Sequence, residues 1–393
     1  MLEAPLHTVY VSYDGALDPL GGSQVLPYLE RLALCNVKPT LLSFEKPERF
    51  CQDDTRRRVA ERLAQAGVAW QPLRYHKSPR VPATFFDVLR GAAALRALVR
   101  SSGARLVHCR GEIATAMARL ARLPRAVKLV YEARGLFADE RVEIGSWPAG
   151  GLVDRAVRRL EAANLRAADG LLCVMASAGL EALRQRRDPL PPYRELPNSV
   201  DLEAFRPRPS GQTAEYGLAY SGSLGGWYLT REMVAFARAS VGLVPGRPLF
   251  LTPQLQEARQ AGVTDDWAEL RSVPPEQVPG WLARATATFF FIQESPSKRA
   301  SSPTKFAESL ACGLPVAANG ASGDLDRILE HERVGVLVDV REPASFERQV
   351  RRLAALAADP RTAAACRELA ERRYSLSAAV AAYHQLYREL VRS

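Results

Sequence analysis

Short apolar runs recur along this chain, and each is followed by a turn signal and then by a helix-like pattern. Runs such as TVYV at 8–11 lack polar alternation, which is typical of strands covered on both faces. Since parallel strands need helical crossovers, this rhythm predicts a doubly wound parallel α/β sheet. In the first half the predicted strands lie at 7–12, 40–44, 106–109, 127–132 and 170–174.

The rhythm restarts after a Pro-punctuated string at 197–207, which predicts a second α/β domain and a hinge near residue 200. We therefore expect a first domain at 1–200 and a second at 201–375. A late amphipathic pattern at 377–391 predicts a helix that packs an apolar stripe, so 376–393 is assigned to the first domain. Strands of the second domain are predicted at 218–221, 248–252, 286–292, 314–318 and 334–338.

Bulk properties fit this organisation. The 393 residues are 47% hydrophobic, which suffices for two cores, and no stretch is apolar enough to cross a bilayer. The N-terminus lacks the features of a secretory signal, so we expect a cytoplasmic location. The six cysteines form no CxxC pair and no zinc-type spacing with histidine, and no metal or other cofactor is predicted.

The net charge of +10 is unevenly placed. Residues 1–200 hold 30 Lys+Arg against 21 Asp+Glu, or +9, and the remainder holds 23 against 22, or +1. A basic first half favours a phosphate-bearing acceptor or peripheral contact with an acidic membrane. Aromatic and basic residues do not interleave, so nucleic acid is not a predicted partner.

The segment 301–316 (SSPTKFAESLACGLPV) predicts a helix whose N-terminus accepts an anion. Ser302 is a favoured N-cap, Pro303 fits the first turn, and Gly313 suits the left-handed residue that ends a helix. Thr304, Lys305 and Glu308 then share one side near the free amides. A hydroxyl and an ammonium suit a diphosphate, and a carboxylate suits ribose hydroxyls; the alternative is a capped helix with a surface Lys–Glu pair.

Glycine-rich loops follow strands at two further places. In LGGSQ at 20–24, Gly21 and Gly22 allow a close backbone approach to phosphate, with Ser23 as an N-cap; the alternative is a tight turn. In YSGSLGGWY at 220–228, we expect backbone amides around Ser223 to cradle phosphate. Trp227 and Tyr228 in this loop either offer a surface on which a ligand stacks or belong to the hydrophobic core.

Two more strand-end loops carry polar side chains. In EARGLFADER at 132–141, Arg134 suits pairing with phosphate or carboxylate, or else a structural ion pair with Glu132 or Glu140. The loop NGASGD at 319–324 again has glycines before a helix. Ligands of such sheets bind beyond the carboxyl ends of strands, so these loops together predict a ligand in the crevice between two domains.

The hinge string PNSVDLEAF at 197–205, the loop at 220–226 and the segment ESLACGLPV at 308–316 resemble the nucleotide-sugar-dependent glycosyltransferases of family 4. The resemblance spans essentially the whole chain. It implies the GT-B fold, in which two Rossmann-like doubly wound domains face each other across a cleft and the C-terminal helix crosses back to the first domain. It also implies a nucleotide-sugar donor and a glycan or lipid-linked acceptor, without a metal.

The resemblance also implies roles for individual residues. Glu308 would accept hydrogen bonds from ribose, Thr304 and Lys305 would meet the diphosphate, and Gly21 and Gly22 would face the donor phosphate. Lys305 would stabilise the leaving group and Arg134 would orient donor or acceptor. Four residues remain open as the group that activates the acceptor: Asp14, Glu132, Asp139 and Glu140. Of these, Glu140 is included among the predicted catalytic residues. His108 and Arg110, like Asp14, are expected on the acceptor side.

The chain departs from the family pattern at three places. A second Glu, usual eight positions before Glu308, is Ala300 here, which weakens the expectation of a retaining reaction. Many members have an Arg and a Lys after the first strand of the second domain, and the matching positions here are Ser223 and Tyr228. The diphosphate would therefore rely on Lys305, together with Lys298 or Arg299. The position after the fifth strand that is often His in the family is occupied here by Arg134.

Two other functions fit the same architecture. A nucleotide-sugar epimerase would convert the donor without an acceptor, and a non-catalytic partner subunit would bind nucleotide without turnover. An NAD-dependent dehydrogenase is disfavoured because no GxGxxG follows a strand.

Overall fold

The computed structural model describes residues 4–76, 78–209 and 211–392. The chain divides into two compact units. Unit 1 comprises Met1–Val174, Leu180–Glu195 and Ser377–Ser393, and unit 2 comprises Met175–Gly179 and Leu196–Leu376. Each unit is built on one parallel sheet, as the alternation of apolar runs and helical patterns predicts.

Unit 1 has a parallel sheet in the order β3-β2-β1-β4-β5-β6-β7. Residues of its central strands, such as Val9, Val11 and Val107, are fully buried because helices cover both faces. The strands are β1 Leu6–Ser12, β2 Val37–Glu45, β3 Ala69–Arg74, β4 Leu106–Arg110, β5 Lys128–Ala133, β6 Gly170–Cys173 and β7 Tyr193–Glu195.

Helices connect these strands, as the parallel pairing of neighbouring strands requires. They are α1 Pro19–Gln24, α2 Leu26–Leu34, α3 Pro47–Phe50, α4 Asp53–Gln65, α5 Arg80–Ser102, α6 Gly111–Leu120, α7 Phe137–Glu143, α8 Leu152–Ala167 and α9 Ser177–Arg186.

Unit 2 has a parallel sheet in the order β10-β9-β8-β11-β12-β13, with a core rich in aromatic rings that include Tyr220, Phe236 and Phe289. Its strands are β8 Tyr216–Ser221, β9 Arg247–Leu251, β10 Glu269–Arg271, β11 Ala285–Phe290, β12 Val316–Ala318 and β13 Gly335–Leu337. Its helices are α10 Thr230–Ala239, α11 Leu255–Gln260, α12 Val278–Leu282, α13 Pro296–Arg299, α14 Thr304–Ala311, α15 Leu325–His331, α16 Phe346–Ala358 and α17 Pro360–Arg373, with 3₁₀ turns at Pro275–Gln277 and Pro343–Ser345.

The last helix, α18 (Leu376–Arg392), returns the chain to unit 1. Its predicted apolar stripe is buried there, and Leu390 packs so closely on Gly170 of β6 that a Cβ at 170 would lie 2.6 Å from a Leu390 methyl. The return of the final helix to the first unit is thus confirmed. The buried stripe consists of Val380, Tyr383, Leu386, Tyr387 and Leu390.

All ten predicted strands are present, and three further strands carry no recognisable signal in the sequence. These additional strands are β3, β7 and β10, and each forms an edge of its sheet. Among the residues that the structure describes, no helix has both the length and the apolar character needed to span a bilayer.

The predicted hinge string is fixed to unit 2 by Arg367 of α17. The guanidinium donates to the carbonyl oxygens of Leu202 at 3.1 Å and Phe205 at 2.8 Å, and to Ala311 of α14 at 2.9 Å. Carbonyls at the end of a helix lack intrahelical donors, so the cation also suits the negative end of the α14 dipole. Arg367 therefore joins the hinge string, α14 and α17.

We expect Arg367→Met to lower the free energy of unfolding of unit 2 by about 2–3 kcal/mol, because three partly buried carbonyls lose charge-assisted hydrogen bonds. Urea titration followed by tryptophan fluorescence measures this, since Trp227, Trp267 and Trp281 lie in unit 2. Arg372→Met is the control: Arg372 is exposed and pairs with the exposed Glu332 at 2.8 Å, so its loss should cost less than about 0.5 kcal/mol. Equal urea midpoints for the two variants would contradict the assigned role.

Candidate functional site

The anion-binding helix predicted at 302–313 is α14, but its N-terminus differs from the prediction. Pro303 occupies the N-cap position and no side chain caps the first turn. Ser302 is therefore not the cap. Its hydroxyl oxygen instead accepts from the Asn198 backbone N–H at 3.0 Å, and its carbonyl oxygen accepts from the Asn198 side chain. Gly313 has φ +70°, so the left-handed residue after the helix is confirmed.

Lys305 extends from the first turn of α14 over two aromatic rings. Its ammonium lies 3.8 Å from the centroid of Tyr228 and 5.2 Å from that of Tyr220. Gly222 leaves space for it, since a Cβ at 222 would lie 2.7 Å from Nζ. Within the described ranges this ammonium forms no salt bridge, so aromatic faces position a cation whose charge is not neutralised by a carboxylate.

Glu308 lies one turn further along α14, half-buried beside a small cavity floored by β8 and β11. Burial raises the pKa of its carboxyl, and the Lys305 charge partly offsets that rise. The carboxylate makes no hydrogen bond or salt bridge with the described part of the chain. The cavity is lined by Ala219, Ser221, Thr288, Phe290, Lys305 and Glu308, among others.

The glycine loop after β8, where an amide cradle for phosphate is predicted, has three of its backbone N–H groups already engaged. The N–H groups of Gly222, Leu224 and Gly225 already donate, to the Leu251 carbonyl at 2.9 Å, the Gln254 side chain at 2.7 Å and the Thr230 hydroxyl at 2.9 Å. Ser223 is exposed, and its carbonyl accepts from the Tyr220 hydroxyl. These three amides are therefore not available to bind an anion.

Trp227 and Tyr228 are half-buried and present ring faces to two lysines. Lys298 of α13 lies 4.3 Å from the Trp227 ring centroid, as Lys305 lies over Tyr228. Both lysines that the sequence suggests for the diphosphate thus lie against the loop that follows β8. Thr304 is half-buried at the start of α14.

The first glycine loop is also different from the prediction. Gly21 and Gly22 lie inside the short helix α1, and Ser23 donates back to the Pro19 carbonyl at 3.0 Å instead of capping a helix. Gly21 is required by packing, because a Cβ there would lie 2.0 Å from the Gly15 carbonyl oxygen. Gly22 has open space beside it, so it alone of the pair keeps an accessible backbone face.

In unit 1, the buried carboxylate of Glu132 accepts five hydrogen bonds. Its donors are Tyr10 at 3.0 Å, His108 at 2.8 Å, Arg110 at 3.0 Å, Arg134 at 2.7 Å and Tyr383 at 3.1 Å. Burial alone would raise the pKa of Glu132, but Arg134, the His108 hydrogen bond and Arg110 together lower it well below its ordinary value. A carboxylate so fully engaged is a poor proton acceptor, which argues against Glu132 as the acceptor-activating group.

His108 and Arg110 do not form the acceptor-facing surface that the sequence suggests. His108 is fully buried, with Nε2 on Glu132 and Nδ1 against the Tyr387 hydroxyl, and burial lowers its pKa. The Arg110 side chain is 2% exposed and bonds Glu132 and Gln24. Both are parts of the buried network around Glu132, because the strand that carries them is central in the sheet.

The other predicted residues of unit 1 are partly accessible. Arg134 pairs with Glu132 and also donates to Gln24 at 2.5 Å, so the alternative of a structural ion pair is realised. Asp14 is 52% exposed, with an oxygen 3.5 Å from Arg110 Nε. Glu140 is half-buried in the first turn of α7 beside Gly135. Asp139 is paired with Arg158 at 2.8 Å and Arg186 at 3.0 Å.

A second buried carboxyl of unit 1 carries no signal in the sequence. Glu112 lies in the first turn of α6 and accepts from the Tyr131 hydroxyl at 2.9 Å. Burial, together with the nearby charge of Glu161, raises the pKa of Glu112 to about 7. In the described residues, no group of three or more His, Cys, Asp or Glu is arranged to bind a metal ion.

The sequence matches two family models. Residues 23–198 match a model described as a glycosyl transferase 4-like domain, and residues 232–355 match one described as glycosyl transferases group 1. The matched segments fall in the two sheet-containing parts of the chain. No curated protein matches the sequence.

Solved structures with the same fold cover nearly the whole chain. A sucrose-phosphate synthase from Thermosynechococcus elongatus is 18% identical, with a TM-score of 0.70 over 98% of this chain and 99% of its own. A glycosyltransferase from Rickettsia africae is 11% identical, with a TM-score of 0.72 over 99% of each chain. Anabaena Alr3699/HepE in complex with UDP-glucose is 14% identical, with a TM-score of 0.66 over 99% of this chain and 100% of its own. The fold is GT-B.

We expect the stability of unit 1 to fall as pH rises through the titration of Glu112. The folded-state pKa of about 7 exceeds the ordinary value of 4.5, so the folded protein binds more protons between these pH values. The free energy of unfolding should therefore decrease by up to about 3 kcal/mol between pH 4.5 and 7 on account of this group. Glu112→Gln should remove that part of the pH dependence in urea titrations at a series of pH values.

Glu61→Gln is the matched control for this test, since Glu61 is exposed on α4 of the same unit. It should leave the pH profile of the wild type unchanged. A Glu112→Gln profile parallel to that of the wild type would show that the carboxyl is not protonated in the folded state.

Proposed function

We infer, since this chain belongs to the glycosyltransferases of the family 4 type, that it transfers a hexose-type sugar from a UDP- or GDP-sugar to an acceptor hydroxyl. Unit 2 is proposed to bind the donor and unit 1 the acceptor. The structurally similar HepE is found in complex with UDP-glucose, which supports a nucleotide-sugar donor here.

One observation carries the donor assignment: Lys305 and Glu308 project from the open end of α14 without neutralising each other in a salt bridge. An ammonium that lies on aromatic rings keeps its charge available for phosphate oxygens. A half-buried carboxylate without a protein donor suits two neighbouring ribose hydroxyls, because it would otherwise lose hydration without compensation. Thr304 and the uncapped first turn of α14 are proposed to complete the diphosphate contacts.

The proposed chemistry needs stabilisation of a departing diphosphate. In an oxocarbenium-like transition state, negative charge grows on the leaving group, and preorganised cations lower the barrier. Lys305 and the α14 N-terminus are proposed to supply this charge, with Lys298 beside Trp227, so that no metal is needed. Arg134 and Glu140 are retained as candidates for orienting the reacting groups in unit 1, although Arg134 is already paired.

A retaining outcome is proposed from family membership alone. Ala300, where many members have a carboxylate near the donor sugar, is fully buried, and its carbonyl accepts from the Ala176 N–H at 2.9 Å. Its methyl group supplies no charge to the sugar, so other groups must orient the acceptor. The anomeric coupling constant of the product, measured by proton NMR, distinguishes retention from inversion.

The biological setting is proposed to be cell-surface polysaccharide or glycoconjugate assembly in the cytoplasm. A glycan or lipid-linked acceptor suits the basic first half of the chain, whose +9 charge would favour peripheral contact with acidic lipid. Co-sedimentation with phosphatidylglycerol vesicles that does not weaken with salt would count against this electrostatic contact.

A thermal-shift screen with UDP-glucose, UDP-galactose and GDP-mannose tests the donor assignment, because a ligand of the folded state raises the melting temperature. For the donor that binds, Lys305→Ala and Glu308→Ala should each weaken the dissociation constant about 10- to 100-fold, as expected for one lost charge-assisted contact. Isothermal titration calorimetry measures both.

Lys46→Ala and Glu347→Ala serve as matched controls, since both residues are exposed and neither lies near α14 in the sequence. Their dissociation constants should equal that of the wild type. Unchanged affinity in both α14 variants, or no binding of any UDP- or GDP-sugar by the wild type, would refute the donor site.

A further inference from the structure

The outward side of α5 carries a cluster of exposed apolar side chains. Phe85 is 62% exposed, Phe86 54% and Leu89 48%. Leu89 lies four positions after Phe85 and three after Phe86, so the three side chains adjoin on the helix surface. Among the aromatic residues that the structure describes, only these two phenylalanines are exposed. Adjoining apolar groups of this size in water mark a surface that contacts a partner.

The inward side of α5 is already fully packed, so the exposed cluster is not unused core. Val88, Leu95 and Val99 are buried in the core of unit 1. Gly91 packs so closely on α6 that a Cβ there would lie 2.5 Å from the sulfur of Met117. A helix fixed in this way cannot turn its outer side inward. The exposed rings therefore stay in water until another surface covers them.

Arginines continue the same exposed side of α5 towards its C-terminal end. The exposed positions between 82 and 100 follow the three- and four-residue spacing of one helix side, and we call them the α5 stripe. They are Pro82, Phe85, Phe86, Leu89, Arg90, Ala93, Arg96, Ala97 and Arg100. Arg74 of β3 is exposed beside the stripe, and its carbonyl accepts from Arg90 at 3.4 Å. Within the described residues, none of these four arginines forms a salt bridge.

The charge of this part of the chain is almost wholly positive. Residues 69–105 hold seven Lys+Arg against one Asp, or +6, out of the +9 carried by residues 1–200. The one acid, Asp87, is fully buried. Its carboxylate accepts from the Tyr13 hydroxyl at 3.1 Å and the His76 backbone N–H at 2.9 Å, and its other oxygen lies 2.6 Å from His76 Nδ1. The α5 stripe therefore presents apolar and cationic groups without an exposed carboxylate of its own segment.

We propose that the α5 stripe docks unit 1 on a bilayer surface rich in anionic phospholipid. This rests on the peripheral membrane contact put forward with the proposed function, and it assigns that contact to one helix. The side chains of Phe85, Phe86 and Leu89 enter the boundary between headgroups and acyl chains, and the arginines meet lipid phosphates. Docking brings unit 1, the proposed acceptor-binding unit, to the surface in which a lipid-linked acceptor is embedded.

The composition of the stripe favours lipid over a second copy of this chain. Two copies that met through the stripe would bring together the unpaired arginines of both, and like charges across an interface repel each other. A bilayer offers phosphate groups over its whole surface and an apolar interior directly beneath them. Cations and aromatic rings on one helix side are thus both accommodated, without the need for a shaped pocket.

Co-sedimentation of the full chain with vesicles tests the docking. The wild type should bind phosphatidylcholine vesicles that contain about 30% phosphatidylglycerol at least about 10-fold more tightly than phosphatidylcholine alone. This binding should weaken from about 50 to about 300 mM NaCl, because salt screens the arginines. Phe85→Gln/Phe86→Gln and Arg90→Gln/Arg96→Gln should each lower the partition coefficient about 10-fold or more. Wild-type binding by either double variant would overturn the proposal.

Matched controls change the same kinds of group elsewhere on unit 1. Leu34→Gln removes an apolar side chain that is 86% exposed on α2, and Lys38→Gln/Arg58→Gln removes two exposed cations from β2 and α4. Both should bind vesicles as the wild type does, and every variant should keep the wild-type melting temperature. Equal losses in Lys38→Gln/Arg58→Gln and Arg90→Gln/Arg96→Gln would contradict the assignment, because binding would then follow net charge alone.

Fluorescence quenching tests whether the rings enter the bilayer. Phosphatidylglycerol vesicles with brominated acyl chains should quench the fluorescence added by Phe86→Trp, since bromine quenches an indole that reaches the acyl region. The fluorescence added by Leu34→Trp should not be quenched, because Leu34 lies on α2, outside the stripe. Absence of quenching in Phe86→Trp, or equal quenching in both variants, would refute insertion of the stripe.

Donor binding separates failure of the docking from failure of the proposed function. Calorimetry with a nucleotide-sugar that binds the wild type should give an unchanged dissociation constant in both stripe variants, since the donor is assigned to unit 2. If the wild type binds a donor but no phosphatidylglycerol vesicles, the docking fails while the donor site stands; this result is expected if the stripe serves an acidic protein. If it binds vesicles through the stripe but no nucleotide-sugar, the transferase function fails and the docking stands.

Discussion

The buried carboxylate of Glu132 is the interaction on which the organisation of unit 1 depends. It lies on β5 and binds side chains from β1, β4 and α18, so a single group joins residues from Tyr10 to Tyr383 along the chain. Two of its donors are arginines, and a buried cation without its partner costs several kcal/mol. The apolar stripe explains why α18 packs, but Tyr383 on Glu132 and Tyr387 on His108 fix its register on the sheet.

The predicted site cations of the two units differ in whether a carboxylate neutralises them. In unit 1, Glu132 neutralises Arg110 and Arg134, which makes them scaffold rather than free anion-binding groups. In unit 2, Lys305 lies on aromatic rings, which orient an ammonium without cancelling its charge. Charge that is positioned but not neutralised is what a phosphate requires. This contrast is the physical reason for assigning the donor to unit 2.

The sequence predicts the central strands because burial on both faces leaves an apolar run that is easily recognised. It does not predict β3, β7 and β10, because an edge strand has solvent on one side and tolerates polar residues or proline, as in AWQPLR of β3. The helix caps expected at Ser302 and Ser23 are wrong for a related reason. A serine hydroxyl can bind any partner that the fold brings near it, and the Ser302 hydroxyl accepts from Asn198, about a hundred residues away.

Pairs such as His76 with Asp87 lie beyond sequence reasoning for the same cause. One residue follows β3 and the other lies on α5, so the periodicity of a single helix or strand does not relate them. Only the fold brings them together. The aspartate is recognised as exceptional once its burial is known, because a fully buried carboxylate must have its hydrogen bonds satisfied.

The substitution at Tyr228 links the departure from the family pattern to the geometry of α14. A lysine at this position would place a second ammonium near Lys305 and repel it, whereas the tyrosine ring attracts the Lys305 ammonium at 3.8 Å. Gly222 is required by the same arrangement, since a Cβ there would meet Nζ. Lys305 of α14 thus extends along the loop that follows β8. With Ser223 and Tyr228 at two positions of that loop, Lys305 is held beside it without a second ammonium from the loop to repel it.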